Sequence, residues 1–207
     1  MSEPEDILDF WFGELNELGC AAPNQRKLWW TKSDAFDDAI RAKFASDYES
    51  IVAGDRERWR ATPQGALAYI IVLDQFSRNM FRNTPTMFAA DPLAREVCCE
   101  GLDAAFDDDL AFDERVFFYL PLEHSEDAPD HERCHDVFSR LCEEAPESLK
   151  ADAEYYLDFA KRHREIIERF GRYPHRNEVL GRVSTCLLYT SDAADDNRLV
   201  WIAGGAG

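Results

Sequence analysis

The sequence predicts an all-α domain in which antiparallel helical hairpins stack on one another, with no sheet. Apolar residues recur with helical spacing in every long segment, and no segment alternates with a period of two. Residues 66–73 are apolar on nearly every face, which is typical of a helix surrounded by other helices. Short loops separate the segments, so we expect about seven or eight helices that pack as antiparallel neighbours.

The helices of the N-terminal part follow from their apolar stripes and their end signals. The first is predicted to span Glu5 to Leu18, because its apolar residues share one face, and Gly19 stops it. A short helix follows over residues 24–30. Ser33 then caps a longer helix, since its hydroxyl can accept a hydrogen bond from the first turn, and Gly54 closes that helix.

Proline marks the starts of the later helices. Pro63, next to the cap residue Thr62, begins the central helix, because proline suits the first helical turn. A second strongly apolar helix ends near Glu123 and is expected to be disturbed by Pro121. The later helices are predicted at about residues 63–81, 91–105, 112–123, 130–145 and 148–170.

Composition and charge restrict the classes of function. The chain of 207 residues is 45% apolar and carries a formal charge of −18, which fits a packed acidic protein. That charge opposes binding to nucleic acid or to an anionic membrane surface. The longest apolar run is too short to span a bilayer, and the acidic N-terminus lacks the basic start of a targeting peptide. We therefore predict a cytoplasmic protein, with its six cysteines reduced.

One basic segment stands out in this acidic chain. Residues 161–182 hold seven Arg or Lys against three Glu, whereas residues 1–160 hold 15 basic and 35 acidic side chains. The segment also carries His163 and His175. Such a segment either neutralises the protein's own carboxylates or holds an anion, and the sequence leaves both interpretations open.

Polar residues also follow the two buried helices. Asp74 and Arg78 stand four residues apart with the acid first, the better order for an ion pair within a helix, and Arg82 extends the same face. The second buried helix is followed by the polar residues 123–126, and His163 is placed toward the core. We expect these residues and the basic segment to meet in one polar site, suited to acid–base chemistry or to fixing an anion.

Residue types suggest roles in such a site. His124 or His163 would exchange protons, and Asp74 or Glu123 would orient the imidazole. We expect the site to hold more cations than carboxylates and to bind a small anionic molecule. The sequence leaves open whether the protein is an enzyme; if it is, hydrolysis or group transfer is the expected chemistry. The other candidates, all ligand-binding, are Arg78, Asn79, Arg82, Glu126, Arg169, Arg172, His175, Arg176 and Asn177.

Other interpretations also stay open. The charged residues can form an internal salt-bridge network without a ligand, because buried charges have to be paired in any fold. Stacked hairpins can instead form a groove for a protein or peptide partner, to which Trp29, Trp30 or Trp59 would contribute. His131 and His135 have a spacing that can ligate zinc, but two ligands do not make a site, and neither a metal nor a cofactor is predicted.

Several motifs of the chain resemble one bacterial family. The motifs are DILDFWFGE at 6–14, LDQFSRNMFR at 73–82, PLEHSED at 121–127 and RHREIIERFGRYPHRNEVLGR at 162–182. The chain is similar to the family catalogued as "domain of unknown function 924", which implies a TPR-like bundle of helical hairpins and no particular reaction. Matched to these motifs, the candidate site comprises Asp74, Gln75, Arg78, Asn79, Arg82, Glu123, His124, Ser125, Glu126, His163, Arg169, Arg172, His175, Arg176 and Asn177.

The resemblance stops after Thr185. Residues 186–207 have no helical period and end in AGGAG, as a translation of non-native DNA would. We predict a single all-α domain over residues 1–185 and a tail, 186–207, that is not part of the native fold. Cys186 is therefore given no functional role.

Overall fold

The computed structural model describes residues 1–184, and all regular structure in that range is helical. The predicted all-α fold without strands is thus confirmed for this part of the chain. The N-terminal part consists of α1 (Pro4–Phe12), α2 (Pro23–Trp30) and α3 (Asp34–Val52).

The prediction for the end of α1 was wrong. The helix ends at Phe12 and not at Leu18, because Gly13 adopts a φ of 64° and its N–H bonds the carbonyl of Asp9 at 3.0 Å. The cap of α3 is as predicted, since the hydroxyl of Ser33 accepts a hydrogen bond from the N–H of Phe36 at 3.3 Å.

The centre of the fold is one continuous helical stretch. It begins at the predicted cap, where the hydroxyl of Thr62 accepts from the N–H of Gly65 at 3.1 Å. Residues 66–73 are at most 1% exposed, which confirms the prediction of a helix surrounded by others. The sequence does not predict the π-helical part, since an apolar run has the same appearance in α and π turns. The stretch comprises α4 (Pro63–Ile70), a π-helical segment (Ile71–Phe76) and α5 (Ser77–Met80).

The later helices lie close to their predicted positions. α7 runs through Pro121, which was expected to disturb it, and ends soon afterwards at Glu123. The missing N–H of the proline therefore removes one bond near the end of the helix, where the disturbance is small. These helices are α6 (Asp91–Asp103), α7 (Phe112–Glu123), α8 (Ala128–Glu144) and α9 (Lys150–Phe170).

The core forms where α4 packs against α1, α6 and α7, while α8 and α9 form a hairpin that packs on α7. In this core Trp29 of α2 packs against Phe117 of α7, with ring centroids 4.7 Å apart. The tryptophans considered for an exposed groove belong to this core, so that expectation was wrong. Trp29 and Trp59 are buried, and the half-buried Trp30 stacks on Phe117.

Within residues 1–184, no helix is both long enough and apolar enough to cross a membrane. The TPR-like order of the hairpins and the domain boundary at residue 185 stay predictions. The tail predicted to be non-native, residues 186–207, lies outside the described residues.

Candidate functional site

Asp74 lies at the centre of a buried polar cluster. It belongs to the π-helical segment and is 0% exposed. Its carboxylate accepts a hydrogen bond from Gln75 at 2.6 Å and pairs with Arg78 at 3.1 Å. Arg78 and Ser77 also donate to the backbone carbonyl of Asp74, at 2.5 and 3.3 Å. The predicted ion pair between Asp74 and Arg78 is therefore confirmed.

His124 follows the last residue of α7 and faces Asp74. Its Nδ1 lies 2.8 Å from one carboxylate oxygen of Asp74 and 2.9 Å from the other. Because a carboxylate can only accept, Nδ1 carries a proton, and in the neutral ring Nε2 is then the nitrogen with a lone pair. The side chain of His124 is 19% exposed, and within residues 1–184 Nε2 has no hydrogen-bond partner.

The charge of Asp74 is maintained by its neighbours. Burial raises the pKa of this carboxyl, but attraction from Arg78 and His124, together with the hydrogen bonds of His124 and Gln75, lowers it well below its usual range. Asp74 is therefore ionised at neutral pH although water does not reach it. A buried carboxylate in this position orients an imidazole and stabilises its protonated form.

Asp91, the first residue of α6, links two arginines at the edge of the cluster. Arg78 bonds both of its carboxylate oxygens, at 2.9 and 3.0 Å, and Arg176 lies 3.4 Å from one of them. The guanidinium carbons of Arg78 and Arg176 lie 5.7 and 4.6 Å from the ring centroid of Phe88. Tyr173 covers Arg176 at 4.6 Å, so Arg176 contacts two aromatic rings. Burial and the charge of Arg78 lower the pKa of Arg176.

Residues of the basic segment bond the C-terminal end of α7. The hydroxyl of Tyr173 donates to the backbone carbonyl of Glu123, and Arg176 donates to that of His124 at 2.9 Å. The last carbonyls of a helix have no partner within the helix, and a cation beside them interacts favourably with the helix dipole. The basic segment thus fixes the backbone that carries His124.

A second acid–imidazole pair lies beside the first. His163 of α9 is 5% exposed, so its predicted inward position is confirmed. Its Nδ1 bonds the carbonyl of Phe159 at 3.0 Å and lies 3.5 Å from a carboxylate oxygen of Glu123. Because the nearer contact is to a backbone carbonyl, the pair Glu123–His163 is looser than Asp74–His124.

Glu126 anchors the end of the basic segment. It accepts from Arg182 at 2.6 and 2.9 Å and from the N–H of Tyr173 at 2.8 Å. Burial raises the pKa of Glu126, but these bonds and the charge of Arg176 outweigh burial and lower it. Ser125, which lies between His124 and Glu126 in the chain, donates to Asp130 at 2.5 Å.

The expected excess of cations is not met in the part of the chain that the structure describes. Each of the three arginines in the cluster has a carboxylate partner, and only at Asp91 do two cations face one carboxylate. The arginines are Arg78, Arg176 and Arg182, and the acids are Asp74, Asp91, Glu123 and Glu126.

Two candidate site residues near the end of the central stretch bond α3 and not the cluster around Asp74. Asn79 donates to Asp37 of α3 at 2.7 Å. Arg82 bonds the same carboxylate at 2.8 and 2.9 Å. The structure therefore places Asn79 and Arg82 in an ion-pair cluster that ties the central stretch to α3, away from the contacts of His124.

Two arginines of the basic segment also lie apart from the cluster. Arg169 is exposed in the last turn of α9, with its guanidinium 4.8 Å from the ring of Phe170. Arg172 is half-buried and donates to the backbone carbonyl of Val183 at 2.8 Å. Neither contacts Asp74 or His124 in the described residues.

The histidines with zinc-like spacing are engaged differently. His131 is buried, with Nε2 2.8 Å from the carbonyl of Ser125, whereas His135 is half-exposed. Within residues 1–184, no group of three or more His, Cys, Asp or Glu side chains is arranged to hold a metal ion.

Comparison with known proteins identifies the family. The family described as bacterial protein of unknown function (DUF924) matches residues 7–186. The chain belongs to this family. A solved structure of a protein of unknown function from Agrobacterium tumefaciens is 36% identical, with a TM-score of 0.75, and the match covers 89% of this chain and 93% of that chain. No curated protein matches the sequence.

In this DUF924 chain the matched region includes both acid–imidazole pairs and the basic segment. Part of that segment holds polar atoms that are buried and have no hydrogen-bond partner within residues 1–184. Asn177 is 1% exposed, and burial together with the charge of Arg176 lowers the pKa of His175 to about 3, so its imidazole is neutral at pH 7. The atoms are Nδ1 of His175, Nε of Arg176, Oδ1 and Nδ2 of Asn177, and Nε of Arg182.

Four contributors to the site were not predicted as site residues. Asp91 was recognised only as a helix start, and nothing in the sequence relates it to the arginines that it joins. Tyr173 and Arg182 lie inside the family motif at 162–182, and this motif could have identified them as site residues. Phe88 carries no sequence signal, because an aromatic residue in a short turn has the appearance of ordinary core.

Proposed function

We propose that this protein binds a small anionic molecule beside the Asp74–His124 pair and uses His124 as a general acid and base. The observation that carries the proposal is the position of Nδ1 of His124, within 2.9 Å of both oxygens of a fully buried carboxylate. A general base needs one nitrogen free for the substrate, and within residues 1–184 Nε2 of His124 has no partner.

The chemistry that fits this pair is hydrolysis or group transfer. Nε2 of His124 takes a proton from the attacking water or hydroxyl group and returns it to the leaving group. Asp74, whose pKa is lowered, stays ionised throughout and stabilises the imidazolium between the two steps. His163 is the poorer candidate, because its Nδ1 lies farther from a carboxylate, at 3.5 Å from Glu123, and its side chain is 7% exposed.

The anionic group of the ligand is assigned to the edge formed by Arg78, Asp91 and Arg176. There two guanidinium groups face one carboxylate, whose side chain is 16% exposed. A ligand carboxylate or phosphate would bond both arginines through charge-assisted hydrogen bonds in place of Asp91. The ring of Phe88 supports both guanidinium groups in this position.

A thermal-shift screen of the full chain against small carboxylates and phosphate monoesters tests binding. A ligand present at one hundred times its Kd should raise Tm by roughly 5–10 °C. Asp91→Asn should tighten anion binding, because it removes the competing carboxylate, and Arg176→Lys should weaken it. If no anion shifts Tm of either the parent or the Asp91→Asn variant, the cluster is an internal salt-bridge network and the proposal fails.

A second comparison separates catalysis from binding. His124→Gln can still donate to Asp74 but cannot exchange a proton, so it should bind the ligand found in the screen without converting it. His135→Gln changes a half-exposed histidine elsewhere and should leave both properties intact. Turnover that survives in His124→Gln would remove the catalytic part of the proposal.

A further inference from the structure

Two glycines in the left-handed conformation bound residues 172–180. Gly171, which ends α9, has a φ of 66°, and Gly181 has a φ of 62°. Each has open space where a side chain would stand, so backbone conformation and not packing requires the glycine. Segments that move as a unit commonly turn about a few residues of this kind at the ends of rigid elements.

The segment between these glycines has little apolar anchoring. Tyr173 is buried with Ile166, Ile167 and the partly buried Phe170 in a small cluster that is separate from the main core. The segment also has the polar contacts of Tyr173 and Arg176, the contact of Arg176 with the ring of Phe88, and the ring contacts of Tyr173 with His131 and His163. Regions with few buried apolar contacts open at a lower free energy than the core does.

Closing this segment leaves polar groups without partners. Three successive residues hold side-chain polar atoms that are shielded from water and form no hydrogen bond within residues 1–184. The atoms are Nδ1 of His175, Nε of Arg176, and Oδ1 and Nδ2 of Asn177. Burying such a group costs free energy that hydration would restore. An opening of the segment would expose these atoms to water and so supply hydrogen-bond partners.

The same segment lies against the surroundings of His124. Arg176 donates to the backbone carbonyl of His124 at 2.9 Å and lies 3.4 Å from Asp91, and the side chain of His124 is left 19% exposed. We propose that residues 172–180 form a strap that opens to admit a ligand to His124 and closes over it. The gating role rests on the proposed function, whereas the opening can be measured without any ligand.

Amide hydrogen exchange of the full chain tests the opening. The N–H groups of Tyr173, Arg176 and Asn177 should exchange at least about tenfold faster than the buried amides of α7. Asn177→Leu replaces the unpaired amide by an apolar group of similar size and should slow exchange in the strap about fivefold or more. Tyr173→Phe removes the bond to Glu123 and should speed it by a similar factor.

Asn79→Leu is the matched control for the asparagine substitution. It removes an amide that is paired with Asp37, so it should leave exchange in the strap unchanged. The proposal that the strap opens would be wrong if its amides exchange as slowly as those of α7. It would also be wrong if they respond equally to both leucine substitutions.

Acylation of histidine by diethyl pyrocarbonate, followed by mass spectrometry, tests access to His124. The rate at His124 should fall in Asn177→Leu and rise in Tyr173→Phe by the factors seen in exchange. His135 serves as the internal reference, because it is half-exposed on α8. A rate at His124 that is the same in all three proteins overturns the gating. If exchange and acylation follow the expected pattern but no anion binds, the strap stands and the proposed function fails.

Discussion

The two carboxylate oxygens of Asp74 lie 2.8 and 2.9 Å from Nδ1 of His124, although 50 positions separate these residues in the chain. The contact joins the π-helical segment of the central stretch to the end of α7. It is held from both sides, because Arg78 pairs with Asp74 and Arg176 bonds the backbone of His124. An imidazole held in this way has its orientation set before any ligand arrives.

Replacement of Asp74 by asparagine should destabilise the protein by about 3–5 kcal/mol. The substitution removes a fully buried charge and leaves the guanidinium of Arg78 with Asp91 as its remaining ionic partner. Urea unfolding followed by circular dichroism measures the change. Asp38→Asn is the control, since Asp38 pairs with Arg41 at the surface and should contribute less than about 1 kcal/mol. Equal stability of the parent and Asp74→Asn would contradict this account.

Substitution of Arg176 should destabilise the protein much more than substitution of Arg172. Arg176→Lys loses the planar contacts with Phe88 and Tyr173 and should lower the free energy of unfolding by about 2 kcal/mol. Arg172→Ala should change it by no more than about 0.5 kcal/mol, because Arg172 bonds only an exposed carbonyl among the described residues. The same unfolding experiment compares them, and similar losses would show that the contact with Val183 is structurally important.

Much of the fold could be predicted because its determinants are local. The apolar run at 66–73 gave the central helix, and the hydroxyls of Ser33 and Thr62 marked helix starts that the structure confirms. The end of α1 was missed because an apolar stripe continued beyond Gly13, where the backbone conformation ends the helix. The π-helical segment was missed because its local pattern does not differ from that of an α-helix.

The site was predictable only as far as its contacts are local. Asp74 and Arg78 are one helical turn apart, and their pairing followed from spacing alone. Arg82 was placed with them, yet its partner is Asp37, 45 positions away. In a chain with 23 basic and 41 acidic residues, each arginine has many possible partners, and tertiary packing decides between them.

The buried thiols should be inert in the folded protein. Cys98 and Cys134 are 0% exposed, and burial raises the pKa of both thiols well above the usual value. An aromatic disulfide reagent should modify them only after unfolding in urea. The half-buried Cys99 and Cys142, whose pKa is also raised by burial, should react slowly without urea. Rapid modification of Cys98 or Cys134 in the native protein, located by peptide mapping, would contradict their burial.

His175 should make the protein less stable in mild acid. Its pKa is about 3 in the folded chain against 6.5 as the reference value, so between these values the unfolded chain binds a proton that the folded chain does not. The contribution of His175 to the free energy of unfolding should therefore not change with pH above 7. It should fall as pH drops from about 6.5 toward 3. The slope from this one group is at most about 1.4 kcal/mol per pH unit.

Urea unfolding at pH 7.5, 6 and 5 measures this dependence. His175→Gln should reduce the slope between pH 6 and 5. Part of the slope should survive in His175→Gln, because burial also lowers the pKa of His131 and acts in the same direction. In the parent, the imidazole resonances of His175 should show no titration shift between pH 7 and 5. A resonance that titrates in that range, or a slope that His175→Gln does not reduce, would show that His175 is not held neutral by burial in the strap.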